Sequence, residues 1–210
     1  MKYVCVTLLG AHKMYGMDLF FNHISKLNIP PSEIWISTPK RLYDVFVSGY
    51  NLDIPIKHIH NPDDKGDDKI PSTTAAREVL RQEIIKSGYQ WSLWLDNDIL
   101  VPPDMTDQFI DYLDQYTDLV WVHSFHAYRL GDGKEKRHGL GSSYIHRDLL
   151  ENIPFIECTF RDVGFGDDFL WIRIVNSFES MGWINSLHGP LFDVLHLRKD
   201  GTVVRMEEFT

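Results

Sequence analysis

The chain has 210 residues, of which 43% are hydrophobic and 24% charged, close to globular averages and far from a disordered composition. One domain of this length buries roughly 70% of the surface its unfolded form exposes and needs no disulfide or metal staple. With 30 acidic against 21 basic residues the formal charge is −9, which repels a phosphate backbone and disfavours general nucleic-acid binding.

The apolar run Tyr3–Leu9 is short and has no small-residue cleavage pattern after it, so it predicts a first strand rather than a signal peptide. Tyr15–Leu27 carries apolar residues at helical spacing, Glu33–Ser37 predicts a second strand after Pro30 and Pro31, and Ile54–Ile59 a third. Asn61–Lys69 is polar and predicts a mobile loop. Ser72, Thr73 or Thr74 is expected to cap a helix that runs through Ile84 and stops at Ser87-Gly88. Trp91–Leu95 has the pattern of a central strand and turns acidic at its carboxyl end, where open α/β sheets bind ligands. A helix from Asp104 to Tyr116 follows Pro102 and Pro103, then a strand from Asp118 to His126. The glycine-rich, charged segment Arg129–Ser143 predicts a flexible crossing. Helices are expected over Arg147–Ile153 and Phe169–Met181, with a tight turn at Gly164–Asp168, and Trp183–Arg198 should hold short strands or a loop.

Strands that read as near-continuous apolar runs, alternating with helices, indicate α/β organisation with both faces of a mostly parallel sheet covered. No run approaches the roughly 18 apolar residues of a membrane span. Cys5 and Cys158 match no C-x-x-C spacing and sit in apolar runs, so they read as buried thiols in a reducing, cytoplasmic compartment.

Asp96-Asn97-Asp98 is the first constellation with chemistry in it. In an extended segment alternate side chains point the same way, so the two carboxylates would converge and repel unless a cation sat between them. Oxygen ligands suit Mg²⁺ or Mn²⁺, which commonly bind one or two carboxylates plus substrate phosphates. The structural alternative is that Asp98 only ends a strand. Asp63–Lys69 lacks the glycine and terminal glutamate of a calcium-binding loop. The segment Gly10–Gly16 is followed by Met17 rather than the Lys-Ser/Thr of a phosphate loop.

Taken in order, AARE at 75–78, WLDNDILVP at 94–102, GLGSSYIHRDLL at 139–150, GFGDDFLW at 164–171 and a late His196 resemble the GT-A fold glycosyltransferases, over most of the chain from Tyr3 to Lys199. The resemblance implies a GT-A-like, Rossmann-like nucleotide-binding α/β/α sandwich with a mixed, mainly parallel sheet. It implies one domain, with residues 1–126 as the nucleotide-sugar half and 127–210 as the acceptor-binding and catalytic half. Gly10–Gly16 lacks the glycine-arginine signature of sugar nucleotidylyltransferases, which share a similar fold.

In this resemblance Thr7, Leu8, Leu9 and Thr38 lie where family members contact the base and ribose, and Arg77 supplies charge to the diphosphate. A surface arginine paired with Glu78 or Glu83 is the structural alternative for Arg77. Asp96 matches the acid that holds the ribose, with Asn97 beside it on the donor. Asp98 binds the Mn²⁺ or Mg²⁺ together with Asp96 and His196, and Arg198 and Lys199 cover the leaving diphosphate. Asp168 matches the general base and Asp167 positions the acceptor, although an Asp at a helix start also serves as a cap. Gly139, Gly141, Ser142, Phe165 and Trp171 are acceptor candidates, against tight turns and core packing as alternatives.

The expected activity is transfer of a sugar from a UDP- or GDP-sugar to a hydroxyl acceptor, with inversion. Two alternatives are a catalytically silent sugar-nucleotide or glycan-binding protein and a glycosyltransferase acting on modified DNA bases, which the locally basic Arg129–His138 segment would serve.

Overall fold

Along the first strand, β1 (Tyr3–Leu8), Tyr3 and Cys5 enter one apolar layer while Val4 and Val6 enter the other. Strand alternation thus buries both faces of the segment, which is why its sequence is almost uninterrupted in apolar residues. The structure is a computed structural model that describes residues 1–61, 69–124, 128–129, 136–137, 140–156 and 167–205. Around β1 are β2 (Glu33–Thr38), β3 (Ile56–His60) and β4 (Trp91–Leu95), all parallel. On the other side lie β6 (Leu119–Ser124), β9 (Ser142–His146) and β10 (Asn185–Gly189). The seven-stranded order is β10-β6-β9-β4-β1-β2-β3. β9 is antiparallel to both β4 and β6, and β10 is parallel to β6.

Helices α1 (Met17–Ile24) and α4 (Met105–Gln115) cover one face, contributing Phe20, Phe21, Ile24, Met105 and Phe109 to the layer that holds Tyr3, Cys5 and Tyr144. Helices α3 (Lys69–Ser87), α5 (Arg147–Asn152) and α6 (Asp167–Ser180) cover the other with Leu80, Ile84, Leu149, Leu150, Ile172 and Val175. The result is the α/β/α sandwich with a mixed, mainly parallel sheet that the sequence leads one to expect. Among the described residues no helix is long and apolar enough to cross a membrane.

Several elements depart from the sequence reading. A helix α2 (Lys40–Phe46) follows β2, where no helix is expected. Helix α3 starts at Lys69, so Ser72, Thr73 and Thr74 lie inside it and do not cap it; Pro71 is tolerated because it falls in the first turn, where the missing N–H has no intrahelical acceptor. Ser142 and Ser143 belong to a sheet strand rather than to a crossing, because β9 fills the gap between two parallel strands. Within the expected crossing, β7 (Tyr128–Arg129) and β8 (Lys136–Arg137) form an antiparallel pair. A three-stranded sheet joins β5 (Ile99–Leu100), β11 (Leu195–Leu197) and β12 (Val203–Arg205). Residues 62–68 of the polar loop, the Gly164–Gly166 turn and Cys158 lie outside the described residues, while Cys5 is a buried free thiol.

One polar latch ties together two helices of that second layer. Arg81 donates to the Leu150 carbonyl on α5 and to both oxygens of Glu78, whose Oε2 also accepts the Phe155 N–H at 3.0 Å. Burial raises the Glu78 carboxyl, but the hydrogen bonds from Arg81, Gln82 and Phe155 outweigh it and hold the group below its usual range. A depressed folded-state value means that the stabilisation is complete above the unfolded glutamate value and is lost as pH falls through the folded one. Urea midpoints taken from about pH 7 to about pH 3 should therefore show Glu78→Gln weaker than wild type at neutral pH, with the gap closing on the acid side. A gap that stays constant would contradict the latch.

Candidate functional site

Beyond β4 the chain turns at once. The Asp96 N–H donates to the Gly141 carbonyl at 3.1 Å, and the Ile99 N–H returns to the Asp96 carbonyl at 3.0 Å. Asp96-Asn97-Asp98 is therefore a turn and not the extended segment expected, so strand alternation does not set the relation between the two carboxylates. Their surroundings differ: Asp96 is half-buried, Asp98 buried.

Asp98 is held by a strand from the far end of the chain. β11 pairs antiparallel with β5, placing His196 opposite Ile99, and the Leu197 N–H donates to the Asp98 carbonyl at 2.8 Å. His196 Nε2 lies 3.5 Å from Asp98 Oδ2, with Asp98 4% exposed in its side chain. The sequence reading pairs these two residues by resemblance alone, and the geometry brings them together.

The turn is closed from beneath by residues the sequence reading passed over. A short 3-10 helix (Ala11–Gly16) precedes α1, and a Cβ on Gly16 would lie 2.3 Å from the Asn97 carbonyl oxygen. The Tyr15 hydroxyl donates to the Leu197 carbonyl at 3.4 Å, and Asn97 Nδ2 reaches Met17 Sδ at 3.6 Å. The available signal was a glycine just ahead of the α1 apolar pattern, a position that often marks a close backbone approach.

Asp96 faces a different set. A Cβ on Gly141 would come within 2.7 Å of Asp96 Oδ2, so a side chain there would push the carboxylate from its place. A cavity of about 10 Å³, near the size of one water, lies at the ends of β1 and β4 between Thr7, Leu8, Arg77, Asp96 and Leu140. Arg77 is buried, so it is not an arginine of the surface. Thr7 Oγ1 is buried with no hydrogen-bond partner among the described residues. Leu9 and Thr38 lie together, because the Thr38 hydroxyl donates to the Leu9 carbonyl at 2.8 Å. Arg198 and Lys199 are exposed in the β11–β12 hairpin, where the Arg198 N–H meets the Thr202 carbonyl at 2.8 Å.

The acceptor candidates are scattered. Ser142 is fully buried in β9. Trp171 is in the core, stacked on Phe155 at 5.5 Å, with Nε1 donating to the Ile153 carbonyl. Gly139 and Phe165 lie outside the described residues. Asp167 and Asp168 are the first residues of α6, and their side chains are outside the description as well.

Two side chains at the turn lie close enough together to share one ion. The 3.5 Å between Asp98 Oδ2 and His196 Nε2 is less than twice a metal–ligand length of about 2.1 Å, so both atoms can reach one ion. Among the described residues there is no group of three or more His, Cys, Asp or Glu placed to hold a metal. Any ion here would complete its shell with substrate oxygens and water.

Neither a protein-family model nor a curated protein sequence matches the chain. Solved structures do resemble it. The glucosyl-3-phosphoglycerate synthase of Mycobacterium tuberculosis, in complex with Mn²⁺, UDP and phosphoglyceric acid, aligns over 94% of this chain and 71% of its own at TM-score 0.60 and 14% identity. The mannosyltransferase PcManGT of Pyrobaculum calidifontis, with GDP-Man and Mn²⁺, aligns over 90% of this chain at TM-score 0.56 and 12% identity; the chain spans 55% of that protein. A CMP:2-keto-3-deoxy-manno-octonic acid synthetase with CTP aligns over 90% of this chain and 89% of its own, also at TM-score 0.56 and 12% identity. The fold is that of GT-A-type nucleotide-sugar enzymes.

Gly16→Ala should cost about 1–3 kcal/mol of stability, the range for overpacking against atoms that cannot move aside. Urea denaturation measures it, and an unchanged midpoint would show that the turn yields.

Proposed function

We propose that the chain is a glycosyltransferase that moves a sugar from a UDP- or GDP-sugar to a hydroxyl acceptor, with inversion, using Mn²⁺ or Mg²⁺. The observation that carries this reading is the meeting of Asp98 and His196 across the β5–β11 pairing, at the carboxyl end of a central strand. Neighbours of the same fold that hold Mn²⁺ with UDP or GDP-Man support it. The synthetase neighbour is a second chemistry on this fold; the missing glycine-arginine signature after β1 favours transfer over nucleotidyl activation.

Residues 1–126 would bind the donor. Thr7 offers a buried hydroxyl in need of a partner, and Leu8, Leu9 and Thr38 form the adjoining strand ends toward the base and ribose. Arg77 would set positive charge beside Asp96 at the ends of β1 and β4, toward the donor diphosphate. Asp96 and Asn97 would meet the ribose side, and Arg198 and Lys199 the outer diphosphate. Asp98 and His196 would hold the ion; Asp96 forms no three-ligand group with them and stays on the donor side. A bound divalent cation supplies positive charge against the growing charge of a diphosphate leaving group.

Residues 127–210 would bind the acceptor and carry the base. Asp168, at the amino end of α6, would take the proton of the acceptor hydroxyl, with Asp167 orienting it. The acceptor oxygen bonds to the anomeric carbon from the face opposite the diphosphate, whose C–O bond breaks as the nucleoside diphosphate departs with the electron pair. The helix amino end stabilises an anionic carboxylate there, so Asp168 would be a ready acceptor of protons only as the hydroxyl is drawn close. Gly141 would act by leaving room for Asp96.

Thermal unfolding with and without Mn²⁺ against UDP- and GDP-sugars tests the donor site. A donor at about 100 times its Kd should add about 2.7 kcal/mol, and Asp98→Ala and His196→Ala should abolish the metal-dependent part. Asp168→Asn should keep the donor effect while transfer falls by about 10²-fold or more. Full donor stabilisation in Asp98→Ala would place the ion elsewhere. Donor binding without turnover on a broad acceptor panel would mark a silent binding protein.

A further inference from the structure

The edge of the main sheet farthest from β3 holds a second recess, outside the residues assigned to the donor. It is a cavity of about 330 Å³ between β6, the edge strand β10 and α6, within the size range of small-molecule sites. Its floor is apolar, with Trp121 stacked on His123 at 5.0 Å and set edge-on to His188 at 4.5 Å. Its rim is polar, from Asn176, Glu179 and Ser180 of α6. His188 Nε2 lies 3.2 Å from Glu179 Oε2 and 2.7 Å from Ser186 Oγ, so the ring and the carboxylate are held in fixed relation.

The charge of its lining says what this recess suits. Among the described residues that line the cavity there is no lysine or arginine, while Glu179 is one of them. Burial pushes the His188 imidazole below its usual value against the pull of Glu179, so it contributes no cation at neutral pH. A phosphorylated or carboxylate ligand would meet an uncompensated negative charge, and a plain alkyl chain would strip water from the polar rim without replacing it.

We infer that this cavity receives a neutral, hydroxyl-rich ring of the acceptor, making the acceptor a saccharide whose body lies along α6 behind the reacting hydroxyl. The assignment rests on the transferase reading. Ile172, Asn176, Glu179 and Ser180 share one stripe of α6 at i, i+4, i+7 and i+8. Asp168 stands one turn before Ile172 on that helix, about 6 Å along the axis. One rigid element would thus carry both the base and the surface that aligns the acceptor with it.

Saturation-transfer NMR and calorimetry on the full chain, without donor, test this with neutral methyl hexosides and hexose disaccharides as probes and hexose phosphates as comparators. At least one neutral glycoside should bind and the phosphates should not. Glu179→Gln and Asn176→Ala, at a half-buried and an exposed position of α6, should each weaken that binding by about tenfold and leave Mn²⁺-dependent donor stabilisation unchanged. Absence of glycoside binding, tighter binding of the phosphates, or wild-type affinity in both variants overturns the inference. Variant-sensitive glycoside binding in a protein that no nucleotide sugar stabilises supports the cavity and overturns the transferase reading instead.

Discussion

The candidate site depends on a short antiparallel pairing, β11 against β5. The Leu197 N–H on the Asp98 carbonyl and the His196–Ile99 register place an imidazole against a carboxylate that lies almost half the chain away in sequence. Neither group is on a flexible tip. Asp98 sits on a turn closed by its own Asp96–Ile99 hydrogen bond, and the turn rests on a glycine that allows backbone to meet backbone. The entropy of bringing two distant segments together is met by folding, so a ligand that uses both residues finds them already aligned.

Burial of charge is the second organising feature of this acidic chain. Helix α3 carries two buried arginines one turn apart with different duties. Arg81 is consumed by Glu78 and the Leu150 carbonyl, and locks α3 to α5. Arg77 points to the ends of β1 and β4, next to Asp96 and the unpaired hydroxyl of Thr7.

The insertion of β9 between β4 and β6 sets the remaining geometry. Gly141, just ahead of it, lies against Asp96, and the strand supplies Ser143, whose Oγ meets His123 Nδ1 at 2.7 Å. It also spaces β6 and β10 away from the acidic turn, so the edge recess under α6 is separated from that turn by a strand. The two halves of the chain therefore share one sheet, and the second half does not form a unit of its own.

Much of the architecture was legible in the sequence because burial on both faces leaves a chemical trace in each strand. Tyr3–Leu8 and Trp91–Leu95 are apolar apart from Thr7 and Ser92, and Asp96 and Asp98 break that pattern just past the end of β4. The elements that escaped were those with little local pattern: the two-residue β5, the hairpin β11–β12, and β9 behind a glycine-rich approach. Their conformation is decided by partners far along the chain, as strand propensity yields to the neighbours a strand acquires. The sequence by itself determined the α/β class, the position of the acidic turn and the residue types able to meet a cation. Only the tertiary structure decided that His196 reaches Asp98, that Arg77 is buried beside Asp96, and that Trp171 packs inward while Trp121 lines a recess, because each outcome depends on pairings and packing between segments whose local sequences carry no record of one another.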